Sequence, residues 1–207
     1  MTLYINKFLN LKCASDIISI TQPLKVWDKE ISEAYSIYES IKDLLEENPK
    51  EKFIHVDLCS GNALTPIMSA FLLKQIKYSY AIDKNKRIRD FYKIKSFTYH
   101  NVNIHNLESL DSLKKIRNKN IIITAIHPCK NLAKQVIEIY NNTTGPKYLF
   151  LMPCCVGKFE YDKKHQIDIA WSKYLLDNIK VPIVQKFMWR DEKILSPKNI
   201  VIEAWEK

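Results

Sequence analysis

The chain reads as a doubly wound α/β fold, a mostly parallel sheet of seven strands that closes on a C-terminal antiparallel hairpin. Two observations lead there. From about Lys52 onward, short apolar β-rich runs alternate with segments of helical period, the pattern of a parallel sheet covered on both faces. At the C-terminus the alternation stops: 181–189 and 199–205 are strand-like runs joined by a short stretch containing Ser196 and Pro197, whereas a parallel pair needs a long crossover. A length of 207 residues suits one such core rather than two.

Taken in order, residues 1–48 form a helical appendage ahead of a domain over 49–207. Asp28 can cap a helix carrying Ile31, Ala34, Tyr35, Tyr38, Ile41 and Leu45 at three- and four-residue steps, ending before Asn48 and Pro49. Residues 1–27 are the least readable. Strands are expected over 53–58, 78–82, 97–102, 121–126 and 148–152, with helical segments near 63–75, 84–94, 107–117 and 131–140 between them. In the last segment Leu132, Val136 and Ile139 recur with Ala133, Ile137 and Tyr140, so one broad face should be buried against the sheet.

Composition narrows the partners. A formal charge of +9 and a pI near 9.2 favour an anionic partner, because clustered Lys and Arg bind phosphates and release counterions. Only 3 glycines in a chain crowded with Lys, Ile and Asn fit equally with a skewed overall composition. Lys7, Lys12 and Asp16 interrupt the early apolar stretches before a secretory or membrane-spanning length is reached. Five cysteines, three of them (Cys59, Cys154, Cys155) at strand ends, point to reduced thiols and a cytoplasmic location rather than a disulfide framework.

The run from Val56 to Leu64 follows a strand and opens a helix, where an α/β fold admits a nucleotide-like ligand. Asp57, Cys59, Ser60, Gly61 and Asn62 are its candidate ligand contacts, and an ordinary strand-to-helix turn with Gly61 at positive φ is the plainer reading. Asp83 ends the next strand about two dozen residues later, where a carboxylate can accept both hydroxyls of a ribose. It can equally cap a helix starting at Lys84. Asn103, after the third strand, suits either an adenine contact or a turn.

Two further loops should face the same crevice. His127, Pro128, Cys129, Lys130, Asn131, Leu132 follows strand 4, and Pro153, Cys154, Cys155 follows strand 5. With Asp57 to Ala63 and the acidic-then-basic stretch Asp83 to Arg87, these positions resemble a group of S-adenosylmethionine-dependent methyltransferases that includes the eukaryotic tRNA acceptor-stem ribose 2′-O-methyltransferases. That group typically reads Asp-Leu-Gly-Ser-Gly-Lys-Gly, then His-x-Cys-Gly-x-Leu, then Pro-Cys-Cys. This chain departs from it at Cys59, Ala63 and Lys130, where glycine is usual. The resemblance covers roughly residues 52–160. It implies a class I methyltransferase fold over 49–207, S-adenosylmethionine held by the Asp57 to Asn62 loop with Asp83, Asn103 and His127, and RNA (tRNA or rRNA) as substrate.

Three chemistries compete for His127, Cys129, Cys154 and Cys155. In direct transfer to a ribose oxygen or base nitrogen, His127 orients or deprotonates the acceptor; a structural histidine is the plain alternative. In covalent catalysis on pyrimidine C5, as in cytosine-5 RNA methyltransferases, Cys129 and Cys154 or Cys155 supply the nucleophile. Metal binding is not expected, since no Cys-x-x-Cys pair is present and adjacent cysteines chelate one ion awkwardly. Lys84, Lys86 and Arg87 on the second helix, with Lys158, Lys163 and Lys164 after the last loop, are the candidate RNA contacts, although a solvated face explains them too. A small-molecule methyltransferase and a non-catalytic RNA- or partner-binding domain complete the field.

Overall fold

A computed structural model describes residues 3–109, 119–160, 166–180 and 185–206. Seven strands form one sheet: β1 (Phe53–Leu58), β2 (Ile76–Asp83), β3 (Phe97–Asn101), β4 (Asn120–Ile126), β5 (Lys147–Met152), β6 (Gln185–Arg190) and β7 (Ile200–Glu206). Their order is β3-β2-β1-β4-β5-β7-β6. The first five are parallel, and β7 runs antiparallel to both β5 and β6. This is the expected doubly wound sheet with its terminal hairpin. The order reverses between β1 and β4, so the loops leaving those two strands diverge and open a crevice.

Six α-helices are described: α1 (Leu3–Leu9), α2 (Ala14–Thr21), α3 (Trp27–Glu47), α4 (Leu64–Leu72), α5 (Asn131–Asn142) and α6 (Ile167–Asp177). Because strand side chains alternate, each strand feeds both faces. Phe53, Ile122 and Phe150 join α1 to α4 in one core. Val56, Leu58, Ile121, Ile123, Leu149 and Leu151 join α5 and α6 in the other. Helix α5 buries Ala133, Val136, Ile137 and Tyr140, the stripe its sequence shows. None of the described helices is long and apolar enough to cross a membrane.

Three expectations are corrected. The segment after β2 is irregular rather than helical, with only a short 3-10 turn at Phe91–Lys93. Its carbonyls are already engaged: Asn101 Nδ2 donates to the Lys84 carbonyl at 2.8 Å and the Tyr99 hydroxyl to that of Asn85 at 2.8 Å, which denies a helix its first acceptors. The cap of α3 is not Asp28. Glu30, from inside the first turn, accepts the Lys25 and Val26 N–H groups at 2.8 and 3.2 Å. Helix α6 was not expected at all; its apolar residues Trp171 and Leu175 are buried, but its amphipathic pattern is weak. The helix expected over 107–117 and the first four residues of the strand expected over 181–189 lie largely outside the described residues.

The two ends of the chain are pinned together. Buried Asp191, just past β6, accepts the hydroxyls of Tyr4 at 2.7 Å and Ser36 at 2.6 Å, joining α1 and α3 to the hairpin. Burial and this carboxylate push the Tyr4 phenol well above its usual range. Replacing Asp191 with Ala should leave two buried hydroxyls without an acceptor and lower stability by about 2 kcal/mol or more in urea denaturation, while Asp191→Asn, which keeps an acceptor oxygen, should lose less. Equal stability of Asp191→Ala and the parent would show that the pin carries no weight.

Candidate functional site

At the crevice, the loop after β1 turns three times through positive φ, at Cys59 (58°), Gly61 (52°) and Ala63 (61°). These are the three positions that are glycine in the pattern the loop resembles, so the backbone path persists where the glycines do not. Lys130, the other departure, has φ 52° and ψ −117°, a region open essentially to glycine alone.

Side chains brace this path. The Gly61 N–H donates to Asp83 Oδ2 at 3.0 Å, and its carbonyl accepts from Arg87 Nε at 3.2 Å and the Tyr99 hydroxyl at 3.3 Å. Asp83 Oδ1 accepts the Asn85 N–H at 2.7 Å. Asn62 donates to Glu30 Oε2 at 2.9 Å, tying the loop to α3. Of the expected basic contacts, Lys84, Lys86 and Lys158 are exposed, Arg87 is half-buried on the loop, and Lys163 and Lys164 lie outside the described residues.

The loop, α3 and the end of β4 enclose a cavity of about 200 Å³ walled by Glu30, Glu33, Asp57, Cys59 to Asn62 and His127. Glu33 and Glu30 are functional candidates that the sequence reading missed. Helix α3 is buried over every residue from Ile31 to Tyr38, and a carboxylate inside such a stretch is the signal that marks Glu33. His127, itself at φ 59°, places Nε2 2.6 Å from Glu33 Oε1. Neither atom meets hydrogen-bond geometry, so the contact is a close polar approach and not an aligned bond. A larger cavity of about 440 Å³ between α3 and the hairpin lies against the start of β5, away from the strand-end loops, and its Glu203 is already bonded to Ser40 and Trp189.

Beneath the cavity runs a buried chain of polar groups. Thr124 Oγ1 donates to Asp57 Oδ1 at 2.5 Å and lies 2.8 Å from His55 Nε2, so a neutral imidazole carrying its proton on Nε2 completes the chain, while its buried Nδ1 has no partner among the described residues. Burial pushes the Asp57 carboxyl up to about 7, with the Asp83 charge adding to it and the Thr124 bond opposing it. Burial alone lowers His55 to about 3.

The remaining expected residues separate into two groups. Asn103 is exposed and turns back on itself, accepting the His105 N–H at 3.2 Å, outside the cavity wall. Cys129, Cys154 and Cys155 gather with one another: Sγ of Cys154 is 3.3 Å from that of Cys129 and 3.4 Å from that of Cys155. None of the three lines the cavity. Burial raises the Cys129 and Cys154 thiols, and the bonds that Cys155 receives from Cys154 and Cys129 lower its own.

Residues 29–161 match a family model described as a methyltransferase domain. The chain belongs to this methyltransferase family. Solved structures share the architecture. The plantazolicin methyltransferase BpumL, bound to S-adenosylhomocysteine, is 11% identical over 97% of this chain and 91% of its own, with a TM-score of 0.52. A SAM-dependent methyltransferase from Aquifex aeolicus is 13% identical over 79% and 88%, with a TM-score of 0.51. The chain spans only 64% of a Streptococcus thermophilus protein described as a hemolysin, at 10% identity over 81% of this chain and a TM-score of 0.45. No match is found among curated proteins. The chain thus belongs to a methyltransferase family and has the fold of the S-adenosylmethionine-dependent enzymes.

The cavity suits part of that cofactor. Its acidic walls favour the ammonium and sulfonium charges, and Ser60 Oγ and His127 Nδ1 are buried with no hydrogen-bond partner among the described residues. Its volume is below the roughly 300–1,000 Å³ of whole small-molecule sites, which fits one end of an extended ligand.

Two predictions follow from this geometry. Lys130→Gly should relieve backbone strain of about 1–3 kcal/mol against an unfolded-state entropy cost of about 0.4–1 kcal/mol, raising the urea midpoint; a lowered midpoint would show the side chain to be worth more than the strain. The second concerns pH. His55 stays neutral in the fold while the unfolded chain takes up a proton below about 6.5, so its contribution to stability is lost as pH falls toward 3. Asp57 keeps its proton in the fold while the unfolded chain releases one above about 4, so its contribution is lost as pH rises toward 7. The two slopes oppose each other over the shared window. Asp57→Asn should therefore uncover stability that climbs between pH 4 and 6.5, and His55→Gln stability that declines there, by up to about 1.4 kcal/mol per pH unit. Parallel pH profiles for both variants would refute the pairing.

Proposed function

We propose that the chain transfers the S-adenosylmethionine methyl group directly to a ribose oxygen or base nitrogen of RNA, a tRNA or rRNA. The observation that carries this reading is an acid-walled cavity at the sheet's reversal point, set in a chain of formal charge +9. The bound cofactor supplies an electrophilic methyl on a sulfonium centre. Glu30 and Glu33 hold its positive end, protonated Asp57 forms the polar floor, and the Cys59 to Asn62 backbone lies along it. Asp83 fixes Gly61, and each of its oxygens keeps a second lone pair for a ribose hydroxyl.

His127 is the group that orients the acceptor. Its Nε2 faces Glu33, which leaves Nδ1, buried and unpartnered among the described residues, to take the acceptor proton. Exposed Lys84, Lys86 and Lys158 supply phosphate contacts. Direct transfer is favoured over a cysteine nucleophile because Cys129 and Cys154 face each other outside the cavity wall.

Calorimetry should show S-adenosylmethionine binding that Asp83→Ala weakens by about 1.5–3 kcal/mol, since a charge-assisted bond to Gly61 is lost with any to the ribose. With labelled cofactor and bulk tRNA or rRNA, label should appear in RNA and disappear with His127→Ala, while Cys129→Ser and Cys154→Ser keep appreciable turnover. Cofactor binding with no label in any RNA would reject the substrate. Abolished turnover in one cysteine variant, with a covalent adduct to RNA containing 5-fluorocytosine, would reject direct transfer.

A further inference from the structure

The sequence offers no metal motif, yet the fold assembles one. The Sγ atoms of Cys129, Cys154 and Cys155 all lie within 4.8 Å of one another. Vicinal cysteines chelate poorly when they alternate along a strand, but Cys154 and Cys155 follow the end of β5 at Met152, where the pleat no longer applies, and their sulfurs come to 3.4 Å. Cys129 reaches across from the β4 loop to 3.3 Å.

The frame around the thiols is fixed by backbone bonds between the two loops. His127 N–H donates to the Met152 carbonyl at 2.8 Å and Lys130 N–H to that of Cys155 at 3.2 Å. The strained backbone of Lys130 gives the β4 loop the bend that brings Cys129 over the β5 loop. A neutral packing role would bury these sulfurs, and instead Cys129 and Cys155 are exposed. A nucleophilic role would place them on the cavity, and they are not there.

We propose that Cys129, Cys154 and Cys155 form a binding site for a thiophilic divalent cation of the zinc type. Zinc–thiolate bonds of about 2.3 Å in tetrahedral array set sulfurs about 3.8 Å apart, so the 3.3 and 3.4 Å spacings of Cys154 need open by only a few tenths of an ångström, and the third pair already lies within 4.8 Å. The fourth position faces solvent past Cys129 and Cys155, as in three-ligand sites that keep an exchangeable position. Protons on the coordinating thiols leave to solvent as the ion enters, so no oxidant or further reactant is required. The ion would lock the β4 and β5 loops, whose thiols already donate to the His127 carbonyl at 3.6 Å. The site stands independently of the RNA reading.

The test uses the full chain, reduced, metal-free and under anaerobic conditions, titrated with Co(II) and then Zn(II). One equivalent of cobalt should give sulfur-to-metal charge-transfer absorption, which zinc then displaces. Each of Cys129→Ser, Cys154→Ser and Cys155→Ser should weaken binding at least tenfold, with Cys13→Ser unchanged. As a check that does not depend on variants folding, zinc should shield these three cysteines, but not Cys13, from alkylation of the parent chain. Absence of the charge-transfer band, or a band that survives in all three variants, or alkylation unaffected by zinc, would overturn the proposal.

Discussion

One hydrogen bond organises the site: the Gly61 N–H donating to the Asp83 carboxylate. It ties the loop after β1 to the end of β2, and other contacts depend on the position it sets. Arg87 and Tyr99 hold the Gly61 carbonyl in the next peptide unit, and Asn62 faces Glu30 on α3. The same carboxylate holds the Asn85 N–H, which starts the irregular path of the following segment. Loop, strand end and N-terminal helix therefore form one braced unit, and Glu33 of that helix arrives beside His127 as part of it.

Much of the sheet was legible because parallel strands buried on both faces must be apolar runs, and 53–58, 121–126 and 148–152 are such runs. The hairpin was legible from the lack of room for a crossover. The segment after β2 was misread because its helical composition is overruled by side chains of β3, which occupy the carbonyls a helix would use. At the site, the loop residues and His127 could be placed from the strand order. Glu33 could not, because its significance depends on α3 being buried all round, a tertiary fact. That Cys129 would meet Cys154 and Cys155 was legible from the strand order; that they would gather outside the cavity wall was not.

The glycine-poor loop shows how conformation outlasts composition. Cys59 and Ala63 are small enough for the tight path, and the surrounding bonds hold them at positive φ despite the penalty. Burial pushes the Cys59 thiol up to about 12, so within the cavity it serves as a small neutral wall. Backbone strain is a cost that the two large cores must carry, and the polar chain from His55 through Thr124 to Asp57 shows charge kept out of the sheet's centre by burial.

The pin between Tyr4 and Asp191 also bears on how the chain reaches its fold. Its partners are 187 positions apart. During synthesis α1 can rest against α3 early, but its tyrosine hydroxyl has no carboxylate to meet until the hairpin has left the ribosome. The first helix is thus a latch that fastens last, and a chain interrupted before the hairpin would keep its amino-terminal apolar face, Ile5 and Phe8 included, only loosely covered.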